Sequence, residues 1–200
     1  MVGFHEVFTV FFITLGPLKI ISPFSAATED RSLPALRGIA WRTFAIASVA
    51  VTLGGLAGAG LLDNWGVPVG AVTLAGGIIF LITALQSLLA QYQPHVNASI
   101  ALPIEPGKAA MQLVFPLVVT PYGVAAIIAL LASSGSWERS SGILALALAV
   151  MLLDLLAMLF ARRILNGVVM LVLRLLGAIL GVLQVALSIQ FIRSGLVSLG

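Results

Sequence analysis

The sequence predicts an all-helical integral membrane protein with six transmembrane helices arranged as two inverted three-helix repeats. The first observation is composition, since 60% of the 200 residues are hydrophobic and 8% are charged, whereas a soluble domain carries about 25% charged residues. The second is a series of apolar stretches close to the roughly 20 residues that a helix needs to cross a bilayer. The third is a similarity between the two halves of the chain at a nearly constant offset.

Six apolar stretches account for most of the chain, and polar residues, glycine and proline separate them. The predicted spans cover residues 4–27, 39–62, 67–91, 109–132, 141–162 and 168–196. The first has an acidic start and is too long for a signal peptide, so we interpret it as a span that is retained. Because the connections are short, consecutive spans are expected to be antiparallel neighbours. The predicted division is a first repeat over 1–93, a connecting loop over 94–108 and a second repeat over 109–200.

Basic residues predict the orientation. The first, third and fifth connections share one side of the membrane, and that side carries most of the basic residues: Arg31, Arg37, Arg42, Lys108, Arg162 and Arg163. The side richer in Lys and Arg is cytoplasmic, so both termini are expected outside the cytoplasm in a multi-pass protein of the cell (inner) membrane. Nucleic-acid binding is not expected despite the pI near 10.0, because the basic residues form no continuous face.

A proline motif occurs in the first span of each half. Residues 17–24 read PLKIISPF and residues 116–122 read PLVVTPY. Each has a Pro-Leu pair, a short stretch, then a hydroxyl residue, a proline and an aromatic residue. Since each half has three spans, the second half must enter the membrane from the opposite side. Inverted repeats of this kind are common in secondary transporters.

The prolines predict interrupted helices. Proline removes a backbone donor and clashes with the carbonyl one turn back. In hydrocarbon, the freed backbone groups must be satisfied by protein, water or a ligand, and half-helix ends offer amides to anions and carbonyls to cations. Two facing interruptions therefore favour a binding site near the middle of the membrane. The alternative is a pair of kinked helices with only packing roles.

Two charged residues lie well inside the predicted spans, Lys19 in the first and Asp154 in the fifth. Each charge costs roughly 2.5 to 3.5 kcal/mol at a helix centre. We hypothesise that both face the bundle interior at similar depth and interact, directly or through water. Asp154 would carry a coupling proton, and Lys19 would attract a substrate carboxylate or occupy the place of a bound cation. A structural ion pair, or a Lys19 side chain that reaches the membrane interface, are the alternatives.

Hydrogen-bonding residues complete the candidate site. Ser22 and Thr120 lie in the two proline motifs, and Gln86 is either a ligand or a hydrogen-bonding link between helices. No enzyme, nucleotide or metal-site motif is present, so we expect no catalysis, no cofactor and no metal. The candidate substrate-binding residues are Gly16, Pro17, Lys19, Ser22, Pro23, Gln86, Thr120 and Pro121, and the candidates for proton or ion coupling are Asp154 and Lys19.

Several segments resemble the MarC family of integral membrane proteins. Residues 63–78 (DNWGVPVGAVTLAGGI) are similar to the family's Phe-Gly-Ile turn followed by Ile-Ala-Gly-Gly. Residues 115–123 (FPLVVTPYG) resemble its Ile-Pro-Leu…Gly-Pro-Gly stretch, and residues 174–195 resemble its C-terminal pattern. Residues 16–24 (GPLKIISPF) are similar to an Asn-Pro-Ile-Gly…Phe element. The resemblance covers nearly the whole chain in order.

MarC proteins belong with the LysE-like exporters, and this kinship implies six helices in two inverted repeats and transport of small solutes. Gly16, Lys19 and Thr73 depart from the family pattern, which has Asn, a small residue and Arg there. We expect a secondary transporter of small neutral amino acids or related metabolites, working by alternating access at a midplane site and coupled to protons or sodium. The alternative is a non-transporting membrane assembly or lipid-handling protein, and the sequence leaves homo-oligomerisation open.

Overall fold

Every regular element in the computed structural model, which describes residues 3–90, 105–164 and 168–200, is a helix. Each half of the chain has the same order of elements, namely an interrupted helix followed by two long helices. The elements are α1 (Phe4–Thr14), a 3₁₀ turn (Pro17–Lys19), α2 (Ile21–Ala27), α3 (Leu33–Trp65), α4 (Val69–Ala90), α5 (Pro106–Leu113), a π turn (Val114–Val118), α6 (Pro121–Ala132), α7 (Trp137–Ile164) and α8 (Val168–Leu199).

Four helices of the described residues are long and apolar enough to cross a membrane. They cover Leu33–Trp65, Val69–Gln86, Trp137–Arg163 and Leu175–Leu199. Two shorter apolar helices, Phe4–Thr14 and Pro121–Ala132, each form part of an interrupted helix. Large apolar side chains are exposed on the outer faces of the long helices, as Leu53, Ile82, Leu152 and Val182 illustrate. A surface this apolar requires lipid around it, so the prediction of a multi-pass membrane protein is confirmed.

Several helices begin earlier than the predicted spans, because turns that precede the continuous apolar stretch are also helical. α3 begins at Leu33 rather than 39, since the Ser32 side chain accepts a hydrogen bond from the Ala35 amide at 3.4 Å. α7 begins at Trp137 rather than 141. α5 begins at Pro106, inside the predicted connecting loop, whose residues 94–104 lie outside the described part of the chain. Apolar composition marks the membrane-spanning part of a helix, but not its capped polar end.

The interruptions have a different local cause from the one predicted. Proline disfavours helical geometry in the residue before it, and Gly16, Phe115 and Thr120, which each precede a proline, are all extended. Pro121 occupies the first turn of α6, where no intrahelical donor is needed. Pro23 lies likewise in the first turn of α2. These two prolines therefore start half-helices, instead of freeing carbonyls in the middle of a helix.

The long third helices of the two halves, α4 and α8, make the most extensive helix contact of the molecule. Their backbones approach closely because glycines line the contact: a Cβ at Gly77 would lie 2.8 Å from the Ile192 amide nitrogen, and one at Gly195 would lie 2.6 Å from the Leu74 amide nitrogen. Small residues permit such approach in lipid. The half-helices pack on the long helices: α6 packs against α3 and α4, α1 and α2 pack against α7, and α5 packs against α3.

The half-helices are unequal in length. α1 and α6, whose outer ends line a common cavity, have 11 and 12 residues. α2 and α5 have 7 and 8 residues. At 1.5 Å of rise per residue, the first pair spans about 17 Å and the second about 11 Å. Counted together with the 3₁₀ turn and the π turn, however, the segments of α2 and α5 cover 17–27 and 106–118, so Thr14 and Thr120 lie near the middle of each interrupted helix.

Candidate functional site

The two interruptions meet at the backbone carbonyl of Thr14, which ends α1. The Thr120 hydroxyl, at the start of α6, donates a hydrogen bond to this carbonyl at 3.0 Å and accepts one from the Gly123 amide at 3.2 Å. Thr120 is thus both the N-cap of α6 and the link to the first interrupted helix. A buried carbonyl without an intrahelical partner needs such a donor. The sequence-predicted juxtaposition of the two proline motifs is therefore present in the fold.

Lys19 lies at the end of the 3₁₀ turn, and its ammonium points into this junction. Its Nζ donates to the same Thr14 carbonyl and lies 3.4 Å from the Tyr122 hydroxyl. The ammonium is also 5.3 Å from the centroid of the Tyr122 ring, within the range of a cation–π interaction. Lys19 therefore stays in the interior, where a carbonyl, a hydroxyl and an aromatic face solvate it, and does not reach toward a membrane interface.

Asp154 is the buried counterpart of Lys19. It lies on α7, is 2% exposed, and neither carboxylate oxygen has a hydrogen-bond partner among the described residues. Asp154 and Lys19 are close enough to interact electrostatically, but no hydrogen bond joins them. The Thr43 hydroxyl, on the adjacent helix α3, is also buried and finds no hydrogen-bond partner within the described part of the chain. Unsatisfied buried polar groups cost roughly 1–3 kcal/mol each, and such groups in a membrane span mark functional sites.

The remaining predicted site residues divide into two groups. Gly16 is buried beside the interruption, where a Cβ would collide with the Phe12 carbonyl, and Pro17 opens the 3₁₀ turn. Pro23 is half-buried in α2. The other three predicted binding residues are exposed and do not line the cavity described below: Ser22, Gln86 and Pro121.

A cluster of aromatic side chains covers the junction. The Tyr122 ring stacks on Phe80 with centroids 4.5 Å apart, and Phe80 lies 6.3 Å from Phe191. Ile13 belongs to the same buried cluster. We missed these aromatic residues as site residues. Tyr122 was visible as the aromatic position of the proline motif, whereas Phe80 and Phe191 look like any apolar residue of a span.

A cavity of about 490 Å³ lies on the other side of this cluster, between α1, α4, α6 and α8. Its polar lining residues are His5, Glu6, Thr9, Thr73, Ser133, Gln190 and Ser194. The cavity ends about one helical turn short of the junction. Gly76 and Ala126 line it, Phe80 comes four residues after Gly76 on α4, and Tyr122 comes four residues before Ala126 on α6. We call the end of the bundle that contains this cavity the cavity side.

At the opposite end of the bundle, Arg162 near the end of α7 contacts the connection between α2 and α3. Its guanidinium donates to the carbonyls of Thr28, Glu29 and Arg31, at 3.1 Å for Glu29 and 2.6 Å for Arg31. Thr28 is the C-cap of α2, whose terminal carbonyls have no intrahelical donors. A cation at a helix C-terminus is favourable. Arg162 thereby fastens the connection between α2 and α3 to α7, and we call this end the Arg162 side.

Apolar outer faces, interrupted helices that meet in the interior and a cavity at one end define an all-helical multi-pass membrane protein with a buried polar junction. Comparison with known proteins gives the particular family. The chain belongs to the MarC family, since the family model described as MarC family integral membrane protein matches residues 1–199. No curated protein and no solved structure matches the chain.

Proposed function

We propose that this protein is a secondary transporter of small solutes, with small neutral amino acids or related metabolites as the substrate class. The observation that carries the proposal is the arrangement around the Thr14 carbonyl. Two helix interruptions meet there beside Lys19 and the buried Asp154, with a cavity at one end of the bundle and the Arg162 contacts at the other. Alternating access needs a central polar site that one side of the membrane reaches at a time.

The charges at the junction support the proposed substrate class. A zwitterionic amino acid carries a carboxylate and an ammonium, and the junction holds the Lys19 amino group and an Asp154 carboxyl group that has no hydrogen-bond partner among the described residues. Lys19 would bind the substrate carboxylate by a charge-assisted hydrogen bond. Asp154 would bind the substrate ammonium or a coupling proton or sodium ion. Because Thr14, Thr120 and Asp154 are all buried at the junction, a small substrate fits this proposal better than a large one.

The proposed topology has six spans in two inverted repeats. The interrupted helices α1–α2 and α5–α6 would each form one span, and the four long helices would form the others. The Arg162 side would face the cytoplasm, since Arg31 and Arg162 meet there. Both chain termini and the cavity would then lie outside the cytoplasm, in the inner membrane.

Exchange measurements in proteoliposomes test the proposal. Purified protein is reconstituted, loaded with a panel of unlabelled amino acids and assayed for uptake of the labelled form of each. We expect counterflow for at least one small neutral amino acid, and we expect its loss in Lys19→Met. Lys108→Met is the matched control, because Lys108 is exposed and pairs with Glu105 at 3.0 Å. A panel in which no amino acid exchanges faster than in protein-free liposomes would favour the non-transporting alternative.

The topology has a separate test, because the chain contains no cysteine. Ser32 and Ser136 are exposed residues at the starts of α3 and α7. In intact cells, a membrane-impermeant maleimide is expected to label Ser136→Cys and to leave Ser32→Cys unlabelled until the cells are opened. The reverse labelling pattern would place the cavity on the cytoplasmic side.

A further inference from the structure

The aromatic cluster forms a partition between the cavity and the half-buried Lys19. Tyr122 and Phe80 stack with an interplanar angle of 17°, and Tyr122 is 9% exposed. The cavity reaches Gly76 and Ala126, one turn away on the same two helices, and includes Phe191 in its wall. A solute that enters the cavity is therefore separated from Lys19 by the thickness of this ring stack.

Within the partition, Tyr122 is the residue that touches both the ring stack and the cation. Its hydroxyl lies 3.4 Å from Lys19 Nζ, and its ring face is within reach of the same ammonium. A separation of 3.4 Å is beyond the usual range of about 2.7–3.2 Å for this kind of hydrogen bond, so this contact is weak. The second partner of Lys19, the Thr14 carbonyl, belongs to the backbone and cannot leave without unwinding α1.

We infer that Tyr122 is the specificity-determining gate of the site: its ring excludes solutes from Lys19, and a solute carboxylate opens it by replacing the Tyr122 hydroxyl at the ammonium. This inference rests on the proposed transport function and names the chemical group by which a substrate is admitted. A carboxylate carries a full negative charge, so an ammonium attracts it more strongly than it attracts a neutral hydroxyl, and the Tyr122 hydroxyl is held only by a 3.4 Å contact. A carboxylate therefore displaces the hydroxyl, and the Tyr122 ring then loses its contact with Lys19 while its stacking on Phe80 remains.

Cysteine labelling beneath the partition tests the gate. Thr14 is fully buried and lies at the junction, so Thr14→Cys is the reporter in a chain that otherwise has no cysteine. We expect slow reaction with a small methanethiosulfonate reagent, and acceleration of at least about tenfold in Tyr122→Ala, which corresponds to about 1.4 kcal/mol in the opening equilibrium. Phe160→Ala, which removes an exposed aromatic ring from α7, is the matched control.

Two ligands test the carboxylate requirement. Alanine is expected to accelerate labelling of Thr14→Cys, whereas alaninamide, which lacks the carboxylate, leaves the rate unchanged. In Tyr122→Phe the partition keeps its ring, so labelling without ligand stays slow, and the half-effective alanine concentration falls because no hydroxyl competes for Lys19. Leu15→Cys, at another buried position beside the interruption, is the second reporter if Thr14→Cys does not fold.

The possible outcomes separate the gate from the transport function. If the Thr14→Cys reporter is labelled at the same rate in Tyr122→Ala as in the Phe160→Ala control, the gate is overturned, even where amino acid exchange succeeds. Equal acceleration by alanine and alaninamide overturns the carboxylate requirement. If Tyr122→Ala accelerates labelling of Thr14→Cys but the protein exchanges no amino acid, the partition is supported and the proposed transport is overturned instead.

Discussion

At the scale of single residues, the site depends on a few polar groups that hold two helix ends together. Thr120 contacts both helix ends: its hydroxyl caps the start of α6 and donates a hydrogen bond to the Thr14 carbonyl at the end of α1. Lys19 donates to the same carbonyl, so one backbone oxygen at the end of α1 receives two donors. The junction is therefore a preorganised polar contact in an otherwise apolar bundle, and its loss affects the relative position of α1 and α6.

Replacing Thr120 tests this link. Thr120→Val removes the hydroxyl while keeping a branched side chain, so both hydrogen bonds of Thr120 are lost. We expect a decrease of about 1–3 kcal/mol in the free energy of unfolding, measured by denaturant titration in detergent. Thr120→Ser keeps the hydroxyl and is expected to retain most of the stability. Equal stability of the Val and Ser variants would contradict the role of the hydroxyl.

Replacing Asp154 is expected to change the free energy of unfolding in the opposite direction, toward greater stability. The Asp154 carboxylate is buried without a hydrogen-bond partner among the described residues, and without it Lys19 still has the Thr14 carbonyl and the Tyr122 hydroxyl as partners. Asp154→Val is therefore expected to raise the free energy of unfolding by about 1–3 kcal/mol and to abolish amino acid exchange. Asp30→Val changes an exposed acidic residue as the control, with an expected stability change within about 0.5 kcal/mol. A lower melting temperature for Asp154→Val than for the unmodified protein would show that the carboxylate stabilises the fold.

The sequence predicted part of this site. Lys19, Asp154 and Thr120 were identifiable, because a charge in an apolar stretch and a hydroxyl in a repeated proline motif are visible without coordinates. Ser22 and Gln86 were predicted as ligands but are exposed, since the face that a residue occupies depends on where a helix begins and how it packs. Phe80 could not be predicted, because its role comes from contact with Tyr122 on another helix.

At the scale of helices, the interruptions follow from the residue before each proline, and the close contacts follow from glycine. Predicting broken helices from the proline pairs was right in outcome, although Pro23 and Pro121 begin half-helices rather than kink continuous ones. The number of glycines in a helix was a weaker guide to where helices approach closely. Gly77 is in tight contact with α8, whereas an added Cβ at Gly177 would meet nothing within 4 Å, and composition does not distinguish the two.

These two glycines form a matched pair of substitutions. In Gly77→Ala the new Cβ would lie 2.8 Å from the Ile192 amide nitrogen and 3.0 Å from Phe191 Cβ. We expect a loss of about 1–3 kcal/mol in the free energy of unfolding from overpacking. Gly177→Ala is expected to be neutral or stabilising by up to about 1 kcal/mol through helix propensity. Thermal unfolding in detergent measures both, and similar melting temperatures would argue against a close α4–α8 contact.

At the scale of the whole molecule, the two ends of the bundle differ. One end contains a cavity of about 490 Å³, and at the other Arg162 is bonded to three carbonyls of the α2–α3 connection. The class of protein was predictable from composition alone, because few charges and long apolar stretches are sufficient for it. The difference between the ends was not predictable, because arginines near span ends indicate orientation without showing which carbonyls they bind.

Arg162 is expected to hold the Arg162 side closed. In Arg162→Gln the side chain keeps at most two donors and no charge, so the connection at Thr28 is released from α7. We expect faster maleimide labelling of Thr28→Cys in this background than in the single variant. Arg163→Gln, which removes the neighbouring exposed arginine, is the control with the same charge change. Identical labelling rates in the two arginine variants would show that the three carbonyl contacts do not close this end.

The glycine-lined contact between α4 and α8 has a mechanical consequence. These helices belong to different halves of the chain, and at Gly77 and Gly195 backbone faces backbone. Large interlocking side chains would resist displacement, since each step would require them to leave one well and enter another. A contact made by backbone at glycines keeps the two halves together and allows small shifts of one helix along the other, because few side chains need to change rotamer.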